Sequence, residues 1–292
     1  MFINGASQSM NNISNQFHSF PAPAKLNLFL HITGRRANGY HELQTVFQLL
    51  DFYDELSFKI RNDGAINRSG NRYGISDDDE LCCKAAHLLQ KRANSNLGVT
   101  ISINKQIPMG GGLGGGSSNA ATTLIALNRL WELDFPLLEL AEIGLKLGAD
   151  VPIFVRGESA WAEGIGEKLT PIKLPERWFL ILTPKVHVST KEVFAHKYLT
   201  RDTPAITIRD FHAGLAENQL ETVVRESYPE VSKALNTLGK FGIARMTGTG
   251  ASVFLACNDE YAAQQVLAQC PSEMSGFIAK GIQKHPLRCG VQ

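Results

Sequence analysis

The sequence predicts an α+β protein with two domains, and three segments carry this prediction. Apolar and polar residues alternate over residues 25–32, which is the two-residue period of a strand. A glycine-rich run over residues 110–116 leads directly into an amphipathic helix. A second glycine element, at residues 248–250, lies between two strand-like segments. Strands and helices are therefore expected in both halves, which we assign as residues 20–162 and 163–292.

The first half is expected to form a sheet followed by helices. Its first strand reads as half-buried, with Lys25 and Asn27 on one face. An acidic run at residues 77–80 favours a helix start, because negative charge is stabilising there. Asp150 falls at a junction between two elements, where functional side chains often project. In chain order the expected elements are strands at 26–32, 43–50 and 56–60, an exposed hairpin at 61–73, a helix at 80–92, a strand at 99–103, a helix from 119, a helix from Pro136 to about Gly148, and a short strand at 151–155.

The second half is expected to alternate strands and helices. Ser189 and Glu192 have the spacing of a capping box, which predicts a helix that starts at Thr190. In chain order the expected elements are a strand at 179–183, helices at 190–198, 208–224 and 229–239, strands at 243–246 and 253–256, a helix at 259–269 and a strand at 276–282.

The composition is that of a globular protein without a general affinity for nucleic acid or membrane. Of 292 residues 43% are apolar, and 29 Lys and Arg nearly balance 28 Asp and Glu. The sequence has no apolar run near the ~20 residues that cross a bilayer. Its five cysteines lack metal-ligand spacing, which indicates reduced thiols and a cytoplasmic location. We expect a monomer or weak homodimer, and a disordered leader over residues 1–19.

The glycine run predicts a loop that binds phosphate through its backbone. Glycine lets the chain adopt positive φ angles and approach an anion closely, so exposed amide groups become ligands. Ser117 or Ser118 is expected to cap the helix that follows, whose free N–H groups carry partial positive charge. No Lys-Ser/Thr follows the glycines, so this is not a Walker A motif. A flexible linker is the alternative, but linkers do not usually run straight into a packed helix.

Lys25 and Asp150 are candidate catalytic residues for phosphoryl transfer. That reaction needs fixed donor phosphates, an offset for their charge and an aligned acceptor hydroxyl. The glycine loop would hold the phosphates, a serine hydroxyl would meet Mg²⁺, and Lys25 or Asp150 would act at the acceptor. Each residue alone has an ordinary alternative, because a lone lysine on a strand is usually solvated and an aspartate after Gly-Ala is more often a helix cap.

Three segments, taken in order, resemble the three motifs of the GHMP kinase superfamily. They are Pro-Ala-Lys25-Leu-Asn27-Leu, Pro108-x-Gly-Gly-Gly-Leu-Gly-Gly-Gly-Ser-Ser-Asn-Ala and Gly248-Thr-Gly250-Ala-Ser. Residues 39–47 and 147–154 further resemble one branch, which acts on a cytidine diphosphate conjugate. The resemblance covers nearly everything after the leader. It implies a two-domain GHMP kinase fold, with an N-terminal ribosomal protein S5 domain 2-like ATP-binding domain and a C-terminal ferredoxin-like α/β sandwich.

The resemblance implies an ATP-dependent kinase of the non-mevalonate isoprenoid pathway. The substrate would be a cytidine diphosphate conjugate of methylerythritol, phosphorylated at the 2-hydroxyl, with Mg²⁺ as cofactor. Lys25 and Asp150 match the catalytic pair: Asp150 takes or orients the proton of the acceptor hydroxyl, and Lys25 stabilises negative charge. Ser117 would also be a ligand of Mg²⁺. The implied ATP-binding residues are Lys105, Pro108, Met109, Gly110, Gly111, Gly112, Leu113, Gly114, Gly115, Gly116, Ser117 and Ser118.

The resemblance also implies a pocket for the cytidine. Tyr40 and Phe194 would sandwich the pyrimidine, and His41 would supply polar contacts to its edge, because stacking alone does not choose cytosine. Where the branch commonly has Asp-Asn-Leu, this chain has Asp79-Glu80-Leu81, which leaves the local adenosine contact open. The implied substrate-binding residues are Asn27, Tyr40, His41, Thr190, Phe194, Gly248, Thr249 and Gly250.

Two other functions stay open on the sequence alone. A related GHMP kinase acting on a mevalonate-type alcohol, homoserine or a sugar would keep the glycine loop without needing the paired aromatics or His41. The second is a non-catalytic nucleotide- or RNA-binding module on the same fold. Such a module is expected to carry a basic stripe, which this sequence lacks.

Overall fold

The computed structural model describes residues 16–288, and this range contains both helices and strands in each half. The strands are β1 (His18–Arg35), β2 (His41–Arg61), β3 (Ile66–Ser69), β4 (Gly98–Asn104), β5 (Ala160–Gly164), β6 (Lys168–Pro171), β7 (Trp178–Leu182), β8 (Ala244–Met246), β9 (Val253–Cys257) and β10 (Gly276–Ile282). The helices are α1 (Leu81–Ala93), α2 (Gly115–Leu130), α3 (Leu137–Leu145), α4 (Val151–Arg156), α5 (Thr190–Ala195), α6 (Ile208–His212), α7 (Leu220–Ser227), α8 (Pro229–Leu238) and α9 (Glu260–Leu267). A 3₁₀ turn spans Pro286–Arg288.

The first core lies between the N-terminal sheet and the helices that follow it, and the second joins the C-terminal elements to Leu30 and Ile32 of β1. Phe47, Phe58 and Leu124 are central to the first core. Leu180 and Val224 are central to the second. The predicted α+β class is confirmed. Among the described helices, none combines the length and the apolar character needed to cross a bilayer.

Strand β2 lies at the centre of the N-terminal sheet. It pairs with β1 in antiparallel register from His18 opposite Phe58 to Arg35 opposite His41. Along its other edge it pairs in turn with β5, β10 and β4. The predicted separation into strands at 43–50 and 56–60 is therefore wrong. The intervening residues stay extended because Tyr53 and Asp54 lie opposite residues of β1.

The segment after β2 is not the predicted hairpin. Strand β3 pairs in parallel with β4, from Ile66 opposite Val99 to Ser69 opposite Ser102, and makes no antiparallel hairpin with β2. Gly98 sits against the backbone of Ala65, where an added Cβ would lie 2.2 Å from the Ala65 carbonyl oxygen. The close approach at Gly98 lets the two segments meet in parallel.

Strand β10 joins the two halves of the molecule. It pairs with β2 at Gly281 and Ile282, and with β7 over residues 276–280. The C-terminal strands then follow in the order β10-β7-β9-β8. The expected domain boundary after residue 162 falls inside β5, and β6 pairs with β5 on the N-terminal sheet. The division into 20–162 and 163–292 stays a prediction. Of the expected leader, residues 1–15 lie outside the described range, and residues 18 and 19 already belong to β1.

Several helix predictions are corrected by the structure. Residues 151–155 form the helix α4 instead of a strand, because Pro152 suits a first helical turn and the left-handed Gly157 ends it. The helix expected over 208–224 is two helices, α6 and α7, which a left-handed turn at Gly214 interrupts. Helix α5 is shorter than predicted, but Ser189 accepts a hydrogen bond from Glu192 N as expected. Strands at 99–103, 179–183 and 276–282 and helices at 80–92, 229–239 and 259–269 are confirmed to within two residues.

Candidate active site

A cavity of about 1270 Å³ opens where the two halves meet. The glycine run forms one wall, residues 38–41 and 187–195 form another, and residues 248–250 contribute to the junction. All the predicted site residues line this cavity except Ser118. Ser118 is completely buried, and its hydroxyl has no hydrogen-bond partner within residues 16–288. The cavity lining therefore gives no support for the expected phosphate contact of Ser118.

Lys25 lies at the floor of the cavity, on β1. Its ammonium is 3.1 Å from Asp150 Oδ2, donates to Asn27 Oδ1 at 2.5 Å, and lies 5.4 Å from the centre of the Phe47 ring. The residue is only 2% exposed. The predicted half-buried strand is wrong here, because residues 22–27 and 29–32 are all buried and so both faces of β1 are covered. Leu113 O of the glycine run accepts a hydrogen bond from Lys25 N.

Asp150 occupies the N-cap position of α4 but does not cap it. Its side chain accepts no hydrogen bond from the helix, and the carboxylate faces Lys25 instead. The side chain is 34% exposed, so the ion pair is open to the cavity on the carboxylate side. A capping carboxylate would be occupied by backbone N–H groups. This one is available to a ligand.

Asn27 connects the Lys25 ammonium to the second glycine element. Its side-chain nitrogen donates to Thr45 Oγ1 at 2.9 Å, and its backbone N–H donates to Thr247 Oγ1 at 2.8 Å. Thr45 in turn donates to Phe29 O. This chain of bonds fixes the amide so that its oxygen faces the ammonium. Sequence reasoning missed Thr45 and Thr247, because only the fold brings their hydroxyl groups to Asn27.

The glycine run folds as a loop at the start of α2 and has the backbone features of an anion-binding loop. Gly112 and Gly114 have φ angles of +73°, and Gly114 is the N-cap of the helix. Helix α2 therefore begins at Gly115, and neither Ser117 nor Ser118 caps it as predicted. The first N–H groups of α2 have no partner within the helix and carry the positive end of its dipole. Gly115, Gly116 and Ser117 line the cavity, where these N–H groups would meet an anion.

Close contact between the two glycine elements fixes the shape of the loop. Ser252 N donates to Gly111 O at 3.2 Å. A Cβ added at Gly112 would lie 2.5 Å from Thr247 O and 3.0 Å from Gly250 O. No side chain fits at Gly112 between these backbones, so glycine is required there.

Gly112→Ala is expected to lower the free energy of unfolding by about 3 kcal/mol, since it adds a backbone clash to a left-handed φ angle. Gly214→Ala is the matched control, because Gly214 has φ +80° and an added Cβ there meets nothing within 4 Å. We expect the control to cost about 1 kcal/mol. Urea unfolding of both variants measures the difference. Equal losses would show that the contact at Gly112 is not tight.

Lys105 is held in place by a buried carboxylate that sequence reasoning missed. Its ammonium lies 2.5 Å from Asp54 Oδ2, and Asp54 is fully buried. The other oxygen of Asp54 accepts from Gln106 N and Ile107 N, each at 2.8 Å. Asp54 thus fixes both the lysine and the entrance to the glycine run. The signal in the sequence that could have indicated this role is that Asp54 lies within an apolar strand segment.

Glu80 lines the far end of the cavity beside Leu81 and Tyr73. Its carboxylate lies 3.2 Å from Arg68 Nη1, and both side chains are buried. Glu80 places a negative charge where the common Asp-Asn-Leu pattern has a neutral asparagine. Arg68 of β3 balances this charge. Glu80 is the N-cap residue of α1, but its side chain makes no capping bond.

His41 and Phe194 form the aromatic wall at the opposite end of the cavity. Their rings stack with centroids 5.0 Å apart and an interplanar angle of 24°. Tyr40 lies at the rim and is 59% exposed. Burial, and then the charges of Arg201 and Arg35, hold the pKa of His41 below its usual value. His41 Nε2 is buried and has no hydrogen-bond partner among residues 16–288.

Thr190 and Thr249 connect this aromatic wall to the second glycine element. Their hydroxyls lie 3.0 Å apart, so the start of α5 is linked to residues 248–250. A Cβ at Gly248 would lie 3.4 Å from Asn27 Oδ1. The second glycine element therefore contacts the Lys25 network and the aromatic wall at once.

Comparisons with known proteins agree with this arrangement. Residues 80–158 match the family model "GHMP kinases N terminal domain", and residues 199–276 match "GHMP kinases C terminal". A protein of Thiobacillus denitrificans named 4-diphosphocytidyl-2-C-methyl-D-erythritol kinase is 55% identical over 92% of this chain and 97% of its own length. A protein of the same name from Hahella chejuensis is 51% identical over 94% of this chain and 96% of its own length.

The chain belongs to the 4-diphosphocytidyl-2-C-methyl-D-erythritol kinase family, a branch of the GHMP kinases. A crystal structure of 4-(cytidine 5'-diphospho)-2C-methyl-D-erythritol kinase superposes with a TM-score of 0.79 and 29% identity, over 91% of this chain and all of that one. A mevalonate kinase, at 17% identity and a TM-score of 0.69, covers 91% of this chain and all of its own, and shares the fold alone.

Membership of the GHMP kinases confirms the predicted two-domain fold and makes the protein an enzyme that transfers phosphoryl groups. Kinases take the phosphoryl group from ATP. The roles of individual residues in this kinase stay predictions, which the geometry of the cavity now makes specific.

Proposed function

We propose that the protein transfers the γ-phosphoryl group of ATP to the 2-hydroxyl of 4-diphosphocytidyl-2-C-methyl-D-erythritol, in the non-mevalonate isoprenoid pathway. One observation carries the proposal: the Lys25–Asp150 ion pair lies in a cavity that has the anion-binding loop at one side and the His41–Phe194 stack at another. The names of relatives that are more than 50% identical support the choice of substrate.

The donor phosphates would bind at residues 110–117. Backbone N–H groups at the start of α2 provide donors that are already oriented, so little ordering is needed when the anion binds. The nucleoside would extend past Lys105, whose ammonium is fixed by Asp54, toward the lobe lined by Tyr73 and Leu81. Ile75, Leu81 and Ile103 line the cavity as well and would offer apolar surface to a flat base.

Asp150 and Lys25 would act on the acceptor hydroxyl. The Asp150 carboxylate would accept the hydroxyl hydrogen, which aligns the oxygen for attack. It would take the proton as the new O–P bond forms and the bond from the γ-phosphorus to the bridging oxygen breaks, which releases ADP. The Lys25 ammonium, 3.1 Å away, pairs with the carboxylate and offsets the charge on the transferred group. Asn27 holds the ammonium in position.

Mg²⁺ fits this site as a partner of the nucleotide. Residues 16–288 contain no group of three His, Cys, Asp or Glu side chains that would hold a metal by themselves. Mg²⁺ in phosphoryl-transfer sites is held mainly by phosphates, with one or two protein oxygens. Ser117 would supply such an oxygen, because it lines the cavity in the first turn of α2. When bound, the ion neutralises charge on the phosphate oxygens.

The cytidine would bind against the aromatic wall. Stacking of the pyrimidine on Phe194, with Tyr40 at the rim, is worth about 1–3 kcal/mol. The lowered pKa of His41 favours the neutral ring, which has one donor and one acceptor for polar contacts to the base edge. Thr190 and residues 248–250 would line the remainder of the acceptor site.

We place the reaction in the cytoplasm and expect a monomer or weak homodimer. The four cysteines within the described residues are free thiols, and three of them are buried. Reduced thiols are typical of that compartment.

The test is an assay of ADP release with the cytidine diphosphate methylerythritol conjugate, run beside mevalonate, homoserine and galactose at equal concentrations. We expect turnover with the conjugate alone, and competitive inhibition by cytidine diphosphate. If a simple alcohol turns over while the conjugate neither reacts nor protects the protein from unfolding, the proposed substrate is wrong.

A further inference from the structure

Arg201 is bound to the carbonyl groups at the end of α5 without lining the cavity. Its guanidinium donates to Phe194 O and His196 O, each at 2.8 Å, and to Leu199 O at 2.9 Å. Three planar, charge-assisted bonds from one side chain use the fork geometry that only arginine has. The residue is not among those that the sequence singled out.

Helix α5 needs such a partner because it is short. Six residues give fewer than two helical turns, and the last four carbonyls of a helix lack partners within it. At its start Ser189 accepts from Glu192 N, and Val193 anchors the helix in the second core. At its end the Arg201 cation satisfies carbonyls and meets the negative end of the helix dipole.

The part of α5 that Arg201 holds is the part that carries the aromatic wall. Phe194, whose carbonyl accepts from Arg201, stacks on His41 from the N-terminal half. The loop that carries Arg201 is itself attached to β1, because Thr203 N donates to Ile32 O at 3.0 Å. The guanidinium therefore connects the end of α5 to the strand that leads into residues 36–41.

We propose that Arg201 is a positioning residue for the acceptor site, which fixes the Phe194 ring against His41 by holding the end of α5. The inference rests on the proposed function, because it assigns the residue that orients the wall on which the cytidine stacks. Two cations face His41, Arg201 from the loop after α5 and Arg35 from the end of β1. Removal of Arg201 thus leaves one of them in place.

The test compares Arg201→Met, Arg201→Lys and the control Arg209→Met. Met keeps an unbranched apolar stem without the charge or the fork, and Lys keeps the charge but has one nitrogen in place of the planar fork. Arg209 is exposed on α6, outside the cavity. For Arg201→Met we expect the KM for the cytidine conjugate to rise about tenfold, with the KM for ATP and kcat unchanged. For Arg201→Lys we expect a smaller rise, and for Arg209→Met none.

Two NMR measurements provide a readout that does not depend on turnover. The pKa of His41 should rise in Arg201→Met and stay lowered in Arg201→Lys, because only Met removes the charge. Amide exchange at residues 193–196 should accelerate in both variants. If wild-type protein does not phosphorylate the conjugate, the proposed function fails, while these two measurements still test the assignment of Arg201.

The assignment is overturned if Arg201→Met leaves the KM for the conjugate unchanged in an active enzyme. It is also overturned if the KM values for ATP and conjugate rise together, which would indicate a general structural role. Should Arg201→Met fail to fold, Arg201→Lys decides by the same comparison of the two KM values and by amide exchange at residues 193–196.

Discussion

Asp150→Asn is expected to lower kcat by about 10³-fold while the affinity for ATP is retained. The amide has nearly the shape of the carboxylate but cannot take the proton of the acceptor hydroxyl. ATP binding should survive, because the residues that we propose to hold the nucleotide are 110–117 and Lys105, and Lys105 pairs with Asp54 while Asp150 pairs with Lys25. The fold should also survive, since the Asp150 side chain makes no capping bond to α4.

Single-turnover phosphorylation measures the chemical step, and equilibrium titration with ATP measures binding. Asp134→Asn is the matched control, because Asp134 is exposed and lies outside the cavity. Equal losses of ATP affinity and of turnover in Asp150→Asn would contradict the assignment of Asp150 to the acceptor side. Full turnover in Asp150→Asn would show that the Asp150 carboxylate takes no part in the reaction.

Lys25→Met is expected to lower kcat by about 10²- to 10³-fold, because the charge that offsets the transferred group is lost. The buried Asn27 Oδ1 also loses its donor, at a cost of about 1–2 kcal/mol in the free energy of unfolding. The Asp150 carboxylate remains partly solvated, which limits the further cost of leaving it unpaired.

Urea unfolding and single-turnover kinetics of Lys25→Met separate these two effects, with Lys91→Met on the exposed end of α1 as the control. The double variant Lys25→Met/Asp150→Asn tests whether the two residues act as a unit. We expect it to be no slower than about the slower single variant. Additive losses in kcat would instead show that the two side chains act independently.

Elements with a clear period were predictable from the sequence, and contacts between distant segments were not. The alternation of apolar and polar residues at 99–103 indicates a half-buried strand, and the apolar stripe of α2 indicates a helix. Both patterns can be read from neighbouring residues alone. The apolar run at 151–155 is too short to show a period, so the helix α4 was mistaken for a strand. The continuity of β2 depends on its pairing with β1, which no local pattern reveals.

The candidate site shows the same division. The glycine run and its position before a helix indicated phosphate binding without any tertiary information. The meeting of Lys25 with Asp150, 125 positions later in the chain, depended on the family resemblance, and the structure now gives the distance between them. The roles of Asp54 and Arg201 could not be predicted from the sequence, because they consist of hydrogen bonds to backbone groups that only the fold brings close.

Strand β10 has a consequence for how the kinase is made. Its residues Gly281 and Ile282 pair with Leu50 and Leu49 of β2, and its residues 276–280 pair with β7 of the C-terminal sheet. During synthesis the N-terminal half emerges first, with the glycine run and Lys25 already present, but the strand that holds the two halves together is still inside the ribosome. The walls of the cavity can therefore reach their final arrangement only after nearly the whole described chain has been translated.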